Sequence, residues 1–310
     1  MVNHTGAAET VWLNDGAGSF TAHPTTPSFG AGNSQDVALG DIDSDGDLDA
    51  VMANDTGQAE TVWLNDGVGN FTAHPTTASF GVGDSTAVVL HDMDSDGDLD
   101  VVVANFTNQA ETVWLNDGAG NFTPHPVTPT FGAGNSQDMG VGDLDGDGDL
   151  DVIVANTSPQ AETVWLNDGN GNLTPHPSTP TFEAGQASGM DLGDIDGDGD
   201  QDAVFAIGVG TDPESVWLND SNGNFAPHPT TPSFGSGTSR TVPLGDIDSD
   251  GDLTCLLPMP SPKPRQSGST MGPGILPLMP LLLPSVQRIV RAWRWVILMA
   301  MVIWMLSWPM

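Results

Sequence analysis

Asp41-Ile42-Asp43-Ser44-Asp45-Gly46-Asp47-Leu48-Asp49 places a carboxylate on every odd position around one glycine. The run returns at Asp92 to Asp100, Asp143 to Asp151 and Asp194 to Asp202, and in damaged form at Asp246 to Thr254. Carboxylates this dense repel one another unless a cation sits among them, and a glycine at the sixth position suits a loop wrapping a hard ion through oxygen. The loop starts are spaced by 51, 51, 51 and 52 residues, and Trp12, Trp63, Trp114, Trp165 and Trp217 keep the same spacing. A fixed period of this length marks a repeat architecture.

Outward from the loop, each unit reads as four short strands. Gln35 to Gly40 leads into the acidic run and Leu48 to Ala53 leaves it. The second strand is clearest in Leu150-Asp151-Val152-Ile153-Val154-Ala155, a β-branched run too short for a helix. Glu60 to Asn65 forms the third strand. Asn65-Asp66-Gly67-Val68-Gly69-Asn70 reverses the chain, and Phe71 to His74 forms the fourth. A Pro/Thr/Ser-rich crossover from Pro75 to about Gly83 reaches the next unit. Four-stranded units with no helical stretch predict an all-β protein, a β-propeller of 51–52-residue blades with the repeated Trp and Phe packed between neighbours. Full units start near Gln35, Ser85, Gln137 and Ala187. The partial units at 1–24 and Thr238 to Leu253 are complementary in content and would fit a five-bladed closure.

Calcium takes six to eight oxygens, whereas magnesium demands a smaller, stricter octahedral shell. Calcium is therefore the expected ion, about one per intact loop. The side chains of Asp41, Asp43, Asp45 and Asp49, with the carbonyl of Asp47, are the expected ligands of the first loop. The corresponding sets are Asp92, Asp94, Asp96, Asp98 and Asp100; Asp143, Asp145, Asp147, Asp149 and Asp151; and Asp194, Asp196, Asp198, Asp200 and Asp202. The last loop keeps Asp246, Asp248, Asp250 and Asp252 but has Thr254 at the ninth position, so weaker binding is expected there. An EF-hand is excluded, because it needs flanking helices and Glu at position twelve, where Met52, Val103, Val154 and Phe205 stand.

The chain has 41 Asp plus Glu against 6 Lys plus Arg, for a formal charge of -35. Such a surface repels nucleic acid and anionic membranes and attracts divalent cations. The single cysteine, Cys255, lies beyond the regular repeats. No basic or apolar leader precedes the first unit, and Met1-Val2-Asn3 aligns with Met52-Ala53-Asn54, so the first unit is expected to begin midway. His23, His74, His125, His176 and His228 recur once per unit, too far apart to share a metal, and are expected to face solvent or pack. No Ser/His/Asp arrangement stands apart from the repeat background, so no catalytic site is expected.

After Leu253 the periodicity stops. Residues 1–253 form the repeat domain, and 254–310 a tail ending in an apolar run, Val296 to Leu306, that resembles a membrane helix. Read from the third base of each codon, with permitted wobble, Ile297 to Pro309 becomes DIDGDGDLDVVVAN and Arg265 to Pro277 becomes ETVWLNDGAGNFT. Both hidden motifs fall in register, at 51 residues after Asp246 and Trp217. A one-base loss near codon 253 would place the tail out of frame and hide at least one further unit. Resequencing across codons 250 to 256 decides this.

The pairs Phe29-Gly30, Phe80-Gly81, Phe131-Gly132 and Phe234-Gly235, the acidic loops, and Val-Trp-Leu-Asn-Asp followed by Gly-Asn-Phe together resemble the FG-GAP/VCBS repeat family, which builds integrin alpha-chain propellers and many bacterial surface propellers. The resemblance implies a calcium-stabilised propeller, often seven-bladed, on a secreted or cell-surface protein that binds an extracellular protein or carbohydrate ligand. Phe182-Glu183 departs from the pattern, and the complete units are too few for seven blades. Two other readings are a scaffold domain of a larger extracellular enzyme, and a surface protein anchored in the membrane by the tail.

Overall fold

The computed structural model describes residues 6–257 except 26, 27, 31, 78, 158, 178–181, 183–185, 209–211, 236 and 237. These residues lie in a compact unit spanning Met1–Ser261. The expected frameshifted or membrane-spanning tail lies outside them from residue 258 onward. Among the described residues no helix is long and apolar enough to cross a membrane.

Each complete unit is one antiparallel sheet. In the first, Ser34–Gly40, Asp49–Asn54, Gln58–Asn65 and Phe71–Ala73 pair in sequence order. The acidic loop is the hairpin connection between the first two strands. Its register is fixed by Gly40 opposite Asp49 and Leu39 opposite Ala50. The same order recurs in the sheets beginning at Ser85, Ser136 and Ala187. This is the repeated all-sheet architecture of a propeller.

The crossover contains a strand that the sequence reading did not anticipate. Ser79–Gly83 pairs with the third strand, Glu60 opposite Phe80, sharing that strand's outer edge with Phe71–Ala73. Thr130–Gly134 and Ser233–Phe234 do the same in their units. At the ends, Glu9–Thr10 pairs with Ser28–Phe29, Trp12–Asn14 with Phe20–Ala22, and Leu244–Gly245 with Thr254–Cys255. No described strand pairing joins the two partial units. Gly245 opposite Thr254 repeats the register of Gly40 opposite Asp49, so the hairpin survives the loss of the last carboxylate.

The second strands explain why the core runs between units. Every residue of Asp49–Asn54, Asp100–Asn105, Asp151–Asn156 and Asp202–Ile207 is buried. Alternate side chains point to opposite faces of a strand, so each second strand feeds two cores. Val101 and Val103 pack with Val51 and Val62 of the preceding unit, while Val102 and Ala104 pack with Val152 and Val154 of the next. Burial on both faces requires a continuous apolar run rather than an alternating one. The Phe of three Phe-Gly pairs meets the Trp of the following unit, as expected: Phe29 and Trp63 lie 5.5 Å apart, Phe80 and Trp114 5.1 Å, Phe131 and Trp165 5.3 Å. These separations suit aromatic contact.

Candidate metal centre

The hairpin loop gathers its carboxylates by turning twice through left-handed backbone. Gly46, Gly97, Gly148, Gly199 and Gly251 at the sixth position have φ between 95° and 100°. The fourth position is left-handed as well, with φ of 61° at Ser44, Ser95 and Ser249 and 79° at Gly146 and Gly197. Serine pays a steric penalty in that region that glycine avoids. The second residue of the loop is its anchor: Ile42, Met93 and Leu144 are buried in the core and hold the carboxylates on either side of them at its edge.

In each of five loops three carboxylates bring an oxygen within 4.8 Å of one another: Asp41, Asp43 and Asp49; Asp92, Asp94 and Asp96; Asp143, Asp145 and Asp151; Asp194, Asp196 and Asp202; Asp246, Asp248 and Asp250. Asp45 accepts the N–H of Asp47 at 2.9 Å. Asp47 turns its carboxylate away, against Gly67 of the third-to-fourth strand turn. The expected contribution of Asp47 to the ion is its carbonyl, not this carboxylate. Asp98 and Asp149 lie in the same way against Gly118 and Gly169.

The ninth-position aspartate does more than the sequence disclosed. Asp100 is fully buried, and its two oxygens accept the N–H groups of Met93 and Asn116, both at 2.9 Å. Asp151 accepts from Leu144 at 2.9 Å and Asn167 at 2.8 Å, and Asp202 from Ile195 at 2.9 Å and Asn219 at 2.8 Å. The carboxylate thereby ties the loop to the start of the turn after the third strand. That turn also crosses to the neighbour: Asn116 donates through Nδ2 to the carbonyl of Ile42 at 2.9 Å, and Asn167 to that of Met93 at 2.8 Å.

The electrostatics favour a cation. Burial raises Asp100 to about 7 and Asp151 to about 6, with repulsion from neighbouring loop aspartates adding to it and the backbone N–H groups opposing it. Asp94 and Asp145 are also raised, first by burial and then by the next aspartate in the loop. Asp41 Oδ1, Asp43 Oδ1 and Asp94 Oδ1 are buried without a hydrogen-bond partner. Buried carboxylate oxygens normally have partners. The donor set is entirely oxygen and suits a hard divalent ion.

The histidines pack rather than face solvent in the units where they are buried. His74 and His125 are 4% and 3% exposed. Nε2 of His74 donates to the carbonyl of Ala119 at 2.9 Å, and Nε2 of His125 to that of Asn170 at 2.9 Å, each in the turn of the following unit. Their Nδ1 atoms accept the N–H of Thr77 at 2.9 Å and of Thr128 at 2.8 Å. Each ring is thus a hydrogen-bonded bridge between units.

Clefts lie between units on the side of the Phe-Gly strands. One of about 280 Å³ is lined by Glu111, Asn156, Gln160, Glu162 and Trp165. Another of about 470 Å³ is lined by Glu162, Gln186, Asp212, Ser215 and Trp217.

The sequence pattern of the FG-GAP-like repeat matches residues 41–103, 92–154 and 143–205, together more than half of the chain. No curated protein matches. Among solved structures, a lectin of Agrocybe aegerita whose structure concerns specific recognition of non-reducing terminal N-acetylglucosamine is similar at 21% identity and TM-score 0.53, over 83% of this chain and 72% of that one. The Photorhabdus luminescens Tc holotoxin pore is similar at 20% identity and TM-score 0.40, over 77% of this chain and 11% of that one. The V. cholerae biofilm matrix protein Bap1 is similar at 14% identity and TM-score 0.39, over 70% of this chain and 33% of that one.

Proposed function

The chain belongs to the FG-GAP-like repeat family, and from that premise we propose that it is a noncatalytic propeller module whose acidic loops bind calcium for stability. On this reading it serves a secreted or cell-surface protein and presents its surface to an extracellular protein or carbohydrate. The observation that carries the calcium assignment is the set of buried, unpartnered oxygens on Asp41, Asp43 and Asp94, each inside a cluster of three converging carboxylates. Asp41, Asp43 and Asp49 would hold the ion in the first loop, their equivalents in the third and fourth, and Asp92, Asp94 and Asp96 in the second. The ion supplies two positive charges where the chain supplies only negative ones.

Calcium acts on the seams as well as on the loops. Asn116 and Asn167 take their partner carbonyls from Ile42 and Met93, residues inside the preceding unit's loop. Ordering a loop therefore orders the neighbour that hangs from it. Isothermal titration and thermal melts with calcium and with chelator test the proposal. Four strong sites, one weaker site and a melting temperature that rises with calcium are expected; no heat of binding and an unchanged melt would refute it.

A carbohydrate is the favoured ligand class. The clefts between units pair an indole ring, Trp165 or Trp217, with amide, carboxyl or hydroxyl groups of Gln160, Gln186, Asp212 and Ser215. Flat apolar faces beside hydrogen-bonding groups match the two faces of a pyranose. A glycan array read in the presence of calcium tests this. Binding lost on Gln160→Ala is expected, and an array with no binding would direct the search to proteins.

A further inference from the structure

Glu9, Glu60, Glu111, Glu162 and Glu214 recur at the spacing of the repeat, and each is at most 3% exposed. They account for five of the six glutamates in the chain. None belongs to an acidic loop. In three units the carboxyl reaches across the seam to the serine that opens the next unit's first strand. Ser34 Oγ lies 2.7 Å from Glu9 Oε1, and Ser85 and Ser136 contact Glu60 and Glu111 more closely still.

The same hydroxyl also meets an asparagine. Ser34, Ser85 and Ser136 lie 3.0, 3.0 and 2.9 Å from Oδ1 of Asn54, Asn105 and Asn156. The amide orientation is fixed, because each Nδ2 donates to a backbone carbonyl: Ala59 at 2.8 Å, Ala110 at 2.7 Å and Ala161 at 3.0 Å. A serine hydroxyl has one proton to give. With an ionised glutamate, it would face two acceptors, and one close oxygen pair would have no proton between them. A second proton, on the glutamate, closes the count: the acid donates to Ser Oγ, the hydroxyl donates to Asn Oδ1, and the amide donates to the carbonyl.

We infer that Glu60 and Glu111 are held as neutral carboxylic acids, and that their two Glu–Ser–Asn chains are proton-dependent clasps, each joining one unit to the next. The rest of the surroundings agrees. Glu60 Oε2 is buried without a partner, so a negative charge there would go uncompensated, and Glu111 Oε2 lies where a side chain on Gly132 would stand. Burial pushes both groups up to about 7, opposed by the serine and by their own backbone, and no charged neighbour is among the causes. The titratable groups on the strands packed around them are Asp49, His91, Asp100, Asp138 and Asp151. Asp49, His91, Asp100 and Asp151 stand at the loop ends of their strands, and Asp138 is bound to the N–H groups of Met139 and Met190. Above neutrality the proton passes to water, the oxygens repel, and the seam loosens beside the Phe-Gly strand.

The fourth seam lacks the clasp. Ala187 replaces the serine and Ile207 the asparagine, leaving Glu162 Oε2 without a partner.

Glutamate-selective carbonyl-carbon NMR on the calcium-saturated full chain tests the assignment, since only six glutamates contribute signals. Titration from about pH 4 to about pH 9 should show Glu60 and Glu111, assigned through E60Q and E111Q, with midpoints near 7. That makes them roughly 300-fold weaker acids than an ordinary glutamate. Midpoints at the ordinary value overturn the proposal. Denaturant unfolding then separates a clasp from simple burial. S85A/S136A should lose more stability at about pH 5, where it removes two hydrogen bonds from each clasp, than at about pH 8, where the hydroxyl has only one to give. E60Q/E111Q, whose amides donate without a titrating proton, should make the wild-type decline between those values shallower, with Glu162 and Asp138 keeping their share. A serine variant equal to the wild type at both pH values overturns the clasp.

Discussion

Asp151→Ala and Asp145→Asn, made in the same loop, separate an aspartate that builds the fold from one whose proposed role is to meet the ion. Asp151 is fully buried and accepts two backbone N–H groups at 2.9 and 2.8 Å. Alanine leaves both donors buried without an acceptor. Each such loss costs about 1–3 kcal/mol, so Asp151→Ala should lose roughly 2–6 kcal/mol even in chelator. For a protein of this size that corresponds to a fall in Tm of roughly 4–20 °C.

Asp145 differs in its bonding, because its backbone partner, the Asp147 N–H at 3.3 Å, lies in its own exposed loop and finds the same acceptor in asparagine. Burial and the neighbouring Asp147 and Asp143 raise its carboxyl above the ordinary range. Removing its charge relieves repulsion when no ion is present. Asp145→Asn should therefore melt in chelator at or slightly above the wild-type temperature, and should lose one calcium site when calcium is added. Paired melts in calcium and in chelator, with site counts by calorimetry, read both effects. If Asp151→Ala matched the wild type in chelator, the aspartate would not be the tie between loop and sheet, and the reasoning would fail.

Gly132→Ala should destabilise by roughly 2–5 kcal/mol in urea unfolding, because φ there is +55° and an added Cβ would stand 2.2 Å from Glu111 Oε2. Gly245→Ala is the matched control: nothing lies within 4 Å of its Cβ position, and a change within about 0.5 kcal/mol is expected. His125→Ala removes the acceptor of the Thr128 N–H and the donor to the Asn170 carbonyl, and should cost roughly 2–4 kcal/mol by the same assay. Glu60, Glu111 and Glu162 are raised from 4.5 to about 7, so the folded chain holds protons that the unfolded chain releases. Their stabilisation is full below about 4.5 and is lost as pH rises through about 7, by roughly 3 kcal/mol per group; a calcium-saturated stability profile flat across that window would contradict it.

The parts of the fold legible in the sequence were those with a strong local cause. Dense aspartates around a glycine and a run such as Val152-Ile153-Val154 each have few structural solutions, and their 51-residue recurrence fixed the unit. The Phe-Gly strand was hidden because Ser79–Gly83 follows a Pro/Thr-rich stretch and pairs with the third strand of its own unit through tertiary contact rather than propensity. The buried glutamates were hidden for a different reason. In Glu60-Thr61-Val62-Trp63, a charged residue on a strand reads as solvent-facing, and only the spacing of 9, 60, 111, 162 and 214 could have singled it out. The second role of Asp49, Asp100, Asp151 and Asp202 was invisible because a ligand and a backbone acceptor are the same residue type.

The division of labour between the two acids follows from reach. At the loops, the carboxylates must converge from alternate positions of one tight turn, and the short aspartate side chain holds its oxygens close to the backbone that also binds them, as at Asp100. At the seams, the carboxyl must leave the third strand of one unit and arrive at the first strand of the next, as from Glu60 to Ser85, and the additional methylene supplies that distance. Aspartate at position 60 would keep the buried acid but withdraw it from the serine, leaving Ser85 to Asn105 alone. Glu60→Asp should accordingly retain a raised midpoint from burial while losing the clasp's share of stability at acid pH, so that its unfolding at about pH 5 resembles that of Ser85→Ala. Unfolding of Glu60→Asp at wild-type denaturant concentration under those conditions would mean that burial, not the contact across the seam, is what selects glutamate.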